Sequence, residues 1–452
     1  MAAPSKATPR LDPFGELTGA MSREEARAES SRCLYCYDAP CVKACPTRID
    51  VPRFIRQIAS ADPLGAGETI LQANALGHSC ARVCPVEVLC EGACVYQEWQ
   101  ANPIQIGRLQ RHATDAVYAE GRLPFAPGPD NEKRVAIVGA GPAGVSCAVY
   151  LRLLGFRVTL FEKRPLPGGL NTYGVAEYKM TPKTALAELE FLFQLGCELA
   201  TEKTVGADIP ASNLIHDFDA IFIGIGLSAT HRLRVPGENL PGVWDALSFI
   251  EAVKARHGKG VPKSAATVVI GGGNTAVDAA TQSLRAKTPR VVIAYRRGQE
   301  KMSAYRFEID LARRDGAVIM TDAVVRRILG KKKVEGVEFT DHRVVSCDRV
   351  ITAIGQTKHY ALAKTFGLEQ HNDGRIKVDA ATMATTRRGI FAGGDAVNGG
   401  KEVVNAAADG KKAAWGIHQT LFPGRCAPEG NAYWISTIDG RLVAPITPRT
   451  AS

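Results

Sequence analysis

The stretch KRVAIVGAGPAGVSCAVYLRLLGFRVTLFEK, Lys133 to Lys163, constrains the fold more than any other part of this chain. Arg134 to Val138 is a short, β-branched apolar run, and Gly139-x-Gly141-x-x-Gly144 makes a tight turn. Val145 to Leu154 carries helical periodicity up to Gly155, and a second strand, Arg157 to Phe161, ends on Glu162. This is the pattern of a βαβ dinucleotide-binding unit. Each residue type has a reason. Gly139 permits the turn, Gly141 lets backbone approach a pyrophosphate, Gly144 lets helix and strand close together, and the helix N-terminus stabilises the anion. Glu162, eighteen residues beyond Gly144, puts a carboxylate where an adenosine ribose offers its hydroxyls.

The second constraint lies upstream, where eight of the twelve cysteines fall between Cys33 and Cys94. The start MAAPSKATPR lacks the apolar stretch of a signal peptide and no run of eighteen apolar residues occurs, so neither export nor a membrane span is expected, and the default is cytoplasm. In that setting clustered cysteines read as ligands rather than disulfides. They run Cys33-x2-Cys36-x4-Cys41-x3-Cys45-Pro46 and then Cys80-x3-Cys84-Pro85, followed by Cys90-x3-Cys94. The x4 and x3 spacings and both Cys-Pro steps follow the ferredoxin pattern by which thiolates wrap iron–sulfur clusters, whereas tetrahedral zinc held by CxxC pairs is the alternative. Two clusters are implied, and because ligands interleave in such modules, order along the chain does not assign them. Helices frame the cysteines. Ser22-x-x-Glu25 is a capping box, Val51, Phe54, Ile55 and Ile58 mark one helical face, and PIQIGRLQRHATDAVYAEG is a further helix. The net charge of +10 is dispersed without interleaved aromatics, so nucleic-acid binding is not expected.

Past a polar linker, LPFAPGPDNEK, and the first βαβ unit, Pro167-Gly168-Gly169-Leu170 follows the acid; such a glycine pair serves equally to let backbone pass a cofactor or to turn at the surface. FDAIFIGIG, Phe218 to Gly226, is a buried strand ending in glycines. A second dinucleotide turn then appears in TVVIGGGNTAVDAATQSL as Gly271-x-Gly273-x-x-Ala276. The strand after it, VVIAYRR, ends in Arg296 and Arg297, where arginine pairs with a 2′-phosphate or simply makes a solvated basic turn. Asp348 to Gly355 is another buried strand. In GIFAGGDAVNGGKEVVNAAADGKKAAWGI the strand ends at Gly393-Gly394-Asp395 and a helix begins near Glu402, returning the chain to the first fold. Asp395 is placed to hold the ribityl or pyrophosphate region of a flavin. Many flavoproteins with two dinucleotide folds pass electrons to a CxxC disulfide, but Cys147, Cys197, Cys347 and Cys426 are each isolated in sequence. Electrons need another exit, and the clusters supply it: a nicotinamide gives two electrons as hydride, a flavin stores them, and clusters take them singly. No GxSxG, HExxH or P-loop competes, and no residue is assigned a catalytic role.

The segments CLYCYDAPCVKACPTRIDVPRFIRQIA, ALGHSCARVCPVEVLCEGACVYQ, PIQIGRLQ, VAIVGAGPAG, GGLNTYGV, VVIGGGNTAVD and GIFAGGDA resemble the flavin and iron–sulfur subunit of dihydropyrimidine dehydrogenase, and are similar to the small subunit of glutamate synthase. The resemblance implies one [4Fe–4S] cluster on Cys33, Cys36, Cys41 and Cys94 and another on Cys45, Cys84, Cys90 and Gln110, leaving Cys80 free. For FAD it implies Glu162, Leu170, Gly394 and Asp395, beside Gly139, Gly141, Gly144 and Gly169 of the glycine turns. For NADH or NADPH it implies the turn of Gly271, Gly273, Asn274 and Thr275 together with Arg296, with Arg297 next to it. Where the larger single-chain enzymes hold the 2′-phosphate with an arginine, this chain has Ser303, which favours NADH. The implied partner is an FMN-containing dihydropyrimidine dehydrogenase catalytic subunit in a hetero-oligomer. A glutamate synthase small subunit, an electron-bifurcating flavoprotein and a redox-sensing interaction module are the other readings. The fold class expected is α/β: an N-terminal all-helical two-cluster iron–sulfur domain followed by two Rossmann-like nucleotide-binding domains, the second inserted in the first. Its expected parts are a flexible N-terminal arm (1–21), the iron–sulfur domain (22–125), an FAD domain in two pieces (131–240 and 358–425) around an NAD(P)H domain (241–357), and a tail (426–452).

Overall fold

The computed structural model describes residues 12–425, so the expected tail and most of the expected arm lie outside the described residues. The chain is α/β and forms two compact units. The larger comprises Thr18–Thr172, Lys183–Ala229 and the described residues from Thr357 onward; the smaller comprises Tyr173–Pro182, Thr230–Gln356 and the described residues up to Leu17. The smaller unit is inserted in the larger, as the sequence pattern implies.

The larger unit starts with helices α1 (Arg23–Ser30), α2 (Pro40–Ala44), α3 (Val51–Ala59), α4 (Pro63–Ala73), α5 (Gly77–Val83) and α6 (Ile106–Glu120). The capping box forms: the Ser22 hydroxyl accepts from the Glu25 amide at 3.1 Å, and the Glu25 carboxylate accepts from the Ser22 amide at 2.8 Å. On α3 the buried residues are Val51, Phe54, Ile55 and Ile58, the face that the periodicity marks out. Truncating the fully buried Phe54 to alanine would cost about 3–5 kcal/mol.

The same unit then contributes strands β1 (Arg134–Val138), β2 (Arg157–Phe161), β3 (Glu198–Ala200) and β4 (Ala220–Ile223). The smaller unit supplies β5 (Val243–Asp245), β6 (Ala266–Ile270), β7 (Arg290–Ala294), β8 (Val318–Met320), β9 (Val325–Leu329), β10 (Gly336–Phe339), β11 (Val344–Ser346) and β12 (Arg349–Thr352), and β13 (Ile390–Ala392) returns to the larger one. The larger unit's sheet has the order β13-β4-β1-β2-β3, all parallel. Strand order reverses at β1, which opens a crevice beyond the carboxyl ends of β1 and β4, where an open α/β sheet takes its ligand. β4 is buried at every position and β1 at every position after Arg134, because helices cover both faces of a parallel sheet. Two of those helices are α7 (Pro142–Leu153), which follows the glycine turn, and α9 (Val403–Leu421).

The smaller unit repeats the plan. Its parallel sheet runs β5-β12-β6-β7-β8 with the reversal at β6, helix α8 (Asn274–Arg285) follows β6, and β11-β10-β9 form a separate antiparallel sheet. Two pieces of chain from elsewhere complete it. Phe14, within the stretch expected to be an arm, is buried in this unit's core beside Phe249 and Val253. The segment Tyr173–Pro182 is fastened by charge: the Tyr178 hydroxyl donates to Asp278 at 2.6 Å, and the Lys179 ammonium pairs with Asp278 at 2.9 Å and Glu308 at 2.6 Å.

Candidate functional site

The flavin-type turn is walled by backbone. Gly139 sits at φ +98°, a conformation costly for any other residue, and a Cβ there would stand 2.7 Å from the Gly224 carbonyl oxygen. A Cβ on Gly144 would overlap the Gly139 carbonyl, so helix and strand close only over glycine. Gly141 differs: a Cβ there would meet nothing nearer than Gly169 Cα at 3.9 Å, leaving room for a pyrophosphate at the start of α7. The Gly168 amide donates to the Ala140 carbonyl at 2.7 Å, which brings the glycine pair beside the turn. Leu170 follows it, partly exposed.

Glu162 is buried, and its carboxylate accepts from the Ala140 amide at 2.9 Å and from the Arg164 amide at 2.9 Å. It therefore ties the end of β2 to the turn while keeping further lone pairs for a ribose. Gly394 lies on the first turn of α7, where a Cβ would stand 3.0 Å from that of Ala143. The Gly394 amide donates to Asp409 at 2.9 Å, and Asp395 accepts from the Lys401 amide at 3.1 Å. Burial raises the pKa of both Asp395 and Asp409. Asp409 escapes sequence reasoning because its partner, Gly394, is identified only when α9 folds back beside it. These residues suit a dinucleotide: an open glycine cradle, a helix N-terminus and a buried acid converge on one crevice.

The thiols form two groups. Cys33, Cys36, Cys41 and Cys94 line one small cavity, about 30 Å³, walled otherwise by apolar residues such as Val51, Ile55 and Ile104. Burial and its neighbours Cys33, Cys94 and Cys36 push the Cys41 thiol up to about 12. In the second group Cys84 is raised by contact with the Cys80 thiol, by burial and by Cys90 and Cys45, while burial and Cys45 raise Cys90. Among the described residues no three His, Cys, Asp or Glu side chains are grouped closely enough to hold a single metal ion. Gln110 is buried and its amide nitrogen donates to the Gly77 carbonyl at 2.7 Å, so only Oε1 is left to ligate. Cys80, buried against Cys84, stands in the second group with it.

Two connections join the thiol region to the flavin-type crevice within this unit. Asn171, next to Leu170, donates to the Ser79 hydroxyl at 3.2 Å, and the Ser79 amide donates to Glu188 at 3.0 Å, one residue before Cys80. Burial raises the Glu188 carboxyl to about 7. Lys411 makes the other connection: its ammonium donates to the Thr47 carbonyl at 3.1 Å and the Ala73 carbonyl at 2.7 Å, and burial draws it down to about 7 against the opposing pull of Cys45. Neither was legible in sequence, since each joins positions far apart in the chain.

In the smaller unit the second glycine turn is enclosed at Gly271 by the Ala353 carbonyl and at Gly272 by the Tyr295 ring, and is open at Gly273. A Cβ on Gly273 would meet only the Ser303 hydroxyl, at 3.4 Å, and Thr275 is exposed. Asn274 accepts from the Tyr305 amide at 2.9 Å, so its side chain holds the 303–306 loop beside the turn. β7 ends at Ala294, and the two arginines after it part company. Arg297 lies over the Tyr295 ring, 5.4 Å from its centroid, and donates to the Tyr295 hydroxyl at 2.9 Å. Arg296 is exposed, and no carboxylate among the described residues pairs with it. Of the remaining cysteines, Cys147 is fully buried in α7 and its pKa is raised by burial and by Cys197, so these two are less isolated than their sequence positions suggest; both are free thiols. Cys426 lies outside the described residues. Among the described residues no helix is long and apolar enough to cross a membrane.

Residues 10–122 match the family described as dihydropyrimidine dehydrogenase domain II, 4Fe-4S cluster, and residues 133–410 match the pyridine nucleotide-disulphide oxidoreductase family. The chain is similar to the NAD-dependent dihydropyrimidine dehydrogenase subunit PreT of Salmonella typhimurium, 34% identical over 91% of this chain and 98% of that one. It is similar to the glutamate synthase [NADPH] small chain of Halomonas elongata, 32% identical over 90% of this chain and 93% of that one. In fold it resembles the thioredoxin reductase of T. acidophilum, with a TM-score of 0.52 at 23% identity over 63% of this chain and 97% of that one.

Proposed function

This chain belongs to the pyridine nucleotide-disulphide oxidoreductase family, with a dihydropyrimidine dehydrogenase-type iron–sulfur domain ahead of it, and on that premise we propose that it is the electron-entry subunit of a two-subunit enzyme. It is an NAD(P)H-dependent flavin oxidoreductase. In this reading it oxidises NADH in preference to NADPH at FAD, passes electrons through two [4Fe–4S] clusters, and delivers them to an FMN-containing subunit that reduces uracil or thymine. When bound, nicotinamide supplies hydride, flavin holds the pair of electrons and the clusters pass them on singly.

The observation that carries the reading is the placement of the thiols in the same compact unit as the flavin-type turn, in a chain without a CxxC pair downstream of that turn. This chain's residues have separable tasks. Gly139, Gly141, Gly144, Gly169, Leu170, Gly394 and Asp395 shape the FAD crevice, Glu162 holds the ribose, and Gly271, Gly273, Asn274, Thr275 and Arg296 take the nicotinamide nucleotide. Cys33, Cys36, Cys41 and Cys94 bind one cluster, and Cys45, Cys84, Cys90 and Gln110 the other. Arg297 buttresses Tyr295 instead of reading phosphate. The helical region Ser22–Gly121 offers the partner its face, since single-electron transfer requires a cluster near the acceptor.

The purified chain is expected to reduce artificial dyes with NADH and to consume NADH in response to uracil only after the FMN-containing subunit is added. Uracil-dependent NADH loss by the chain alone would contradict an entry-only role. A glutamate synthase small subunit is the second reading, supported by the similar identity to the Halomonas protein, and co-purification with a glutamate-forming subunit would select it.

A further inference from the structure

Asp409, Gly410 and Lys411 are consecutive on α9, and each reaches a different part of the larger unit. Asp409 accepts from the amide of Gly394 in the flavin-type crevice. Gly410 lies against the Ala143 carbonyl and the Cys147 amide, a contact that leaves no room for a side chain and brings α9 directly onto α7. Lys411 turns to the thiol region. It is buried, with its ammonium bonded to the Thr47 and Ala73 carbonyls and 5.6 Å from the centroid of the Tyr150 ring.

These acceptors select for a cation. Ala73 is the last residue of α4, so its carbonyl lies at the negative end of that helix. The Tyr150 face adds the attraction of a ring quadrupole, and Tyr150 is itself fixed by donating to the Gln72 carbonyl at 3.1 Å. Thr47 adjoins the second thiol group directly, with its hydroxyl 3.3 Å from Cys45 Sγ.

We propose that Lys411 sets the reduction potential of the second cluster, the one at Cys45, Cys84 and Cys90, by placing a buried positive charge beside it from the helix that shapes the flavin crevice. The inference rests on the electron-entry reading above. One-electron reduction adds one negative charge at the Cys45 group; the electron comes from the reduced flavin, no bond forms or breaks, and Lys411 acts in its ammonium form, which the Thr47 and Ala73 carbonyls and the Tyr150 ring favour against the cost of burial. A fixed cation in a desolvated interior favours the reduced state and so raises the potential. Lys411 is a positioning and tuning residue that touches neither substrate nor iron.

The test is a potentiometric titration of the cluster-loaded full chain followed by electron paramagnetic resonance, with Lys411→Gln, Lys411→Met and Lys411→Arg compared with wild type. In the two neutral variants the signal that Cys84→Ser alters should need a lower potential. At fixed potential its reduced-to-oxidised ratio should fall about tenfold, or about 59 mV for one electron. The other signal should not move, and Lys411→Arg should restore the wild-type value. Unchanged potentials in both neutral variants, or equal shifts of both signals, would overturn the proposal. Loss of the cluster from both would overturn it too, because Lys411 would then be a strut. A wild-type chain without any cluster signal would remove the electron-entry reading itself, whereas unchanged potentials in a loaded chain remove only this inference.

Discussion

The two glycine turns share a sequence grammar and a backbone-closed first glycine, and differ in the residue that follows the next strand. Gly139 is closed in by the Gly224 carbonyl as Gly271 is by the Ala353 carbonyl, but after the first turn the acid that ends β2, Glu162, is buried. Around Gly271–Ala276 the last glycine faces only the Ser303 hydroxyl, and Arg296 stands exposed. The first arrangement fits a cofactor that stays through many turnovers. The second fits a nucleotide that binds, reacts and leaves, because an exposed charge lends affinity without imprisoning the ligand. The thiols lie in the same unit as the first turn, and the second turn lies in the other.

The largest effect should come from closing the tight turn further. Gly144→Ala puts a methyl group into the Gly139 carbonyl, and the purified protein should lack flavin absorbance. Gly273→Ala meets only ordinary contact, so it should keep its flavin and lose nucleotide affinity through the crowded phosphate approach. Flavin retained by the first variant, or lost by the second, would erase the contrast between the turns.

Among the thiols, Cys84→Ser should lose or alter one of two four-iron clusters, giving roughly four irons per chain in place of about eight, while Cys80→Ser should keep both. Equal iron loss would make Cys80, which is buried in contact with Cys84, a ligand in place of Gln110. The smallest effect belongs to the open site. Arg296→Ala should raise the KM for NADPH roughly tenfold, the equivalent of one charge-assisted hydrogen bond, and spare NADH. Steady-state kinetics with both nucleotides decides, and equal effects would make Arg296 structural.

What was legible in the sequence was local. Glu162 follows Gly144 at a fixed distance because one helix and one strand separate them, and the α3 face repeats with the helical period. What stayed hidden was made by distant contacts. Asp409 and Lys411 look like the polar residues of any helix until α9 lies between Gly394 on one side and Thr47 and Ala73 on the other. Arg296 and Arg297 are indistinguishable as text, and only the Tyr295 ring separates them. The docking of Phe14 and of Tyr173–Pro182 onto the nucleotide unit carries no periodic signal, since single side chains and ion pairs hold it.

In the proposed role, electrons enter this chain as hydride and reach thiol-bound iron within it without a partner's help. Anaerobic addition of NADH to the purified, iron-loaded chain, followed together by flavin absorbance and electron paramagnetic resonance, tests it most directly. The expected result is bleaching of the flavin accompanied by a reduced-cluster signal that Cys84→Ser diminishes. A flavin that bleaches fully while the clusters of a loaded chain stay silent, though dithionite can reduce them, would contradict the account.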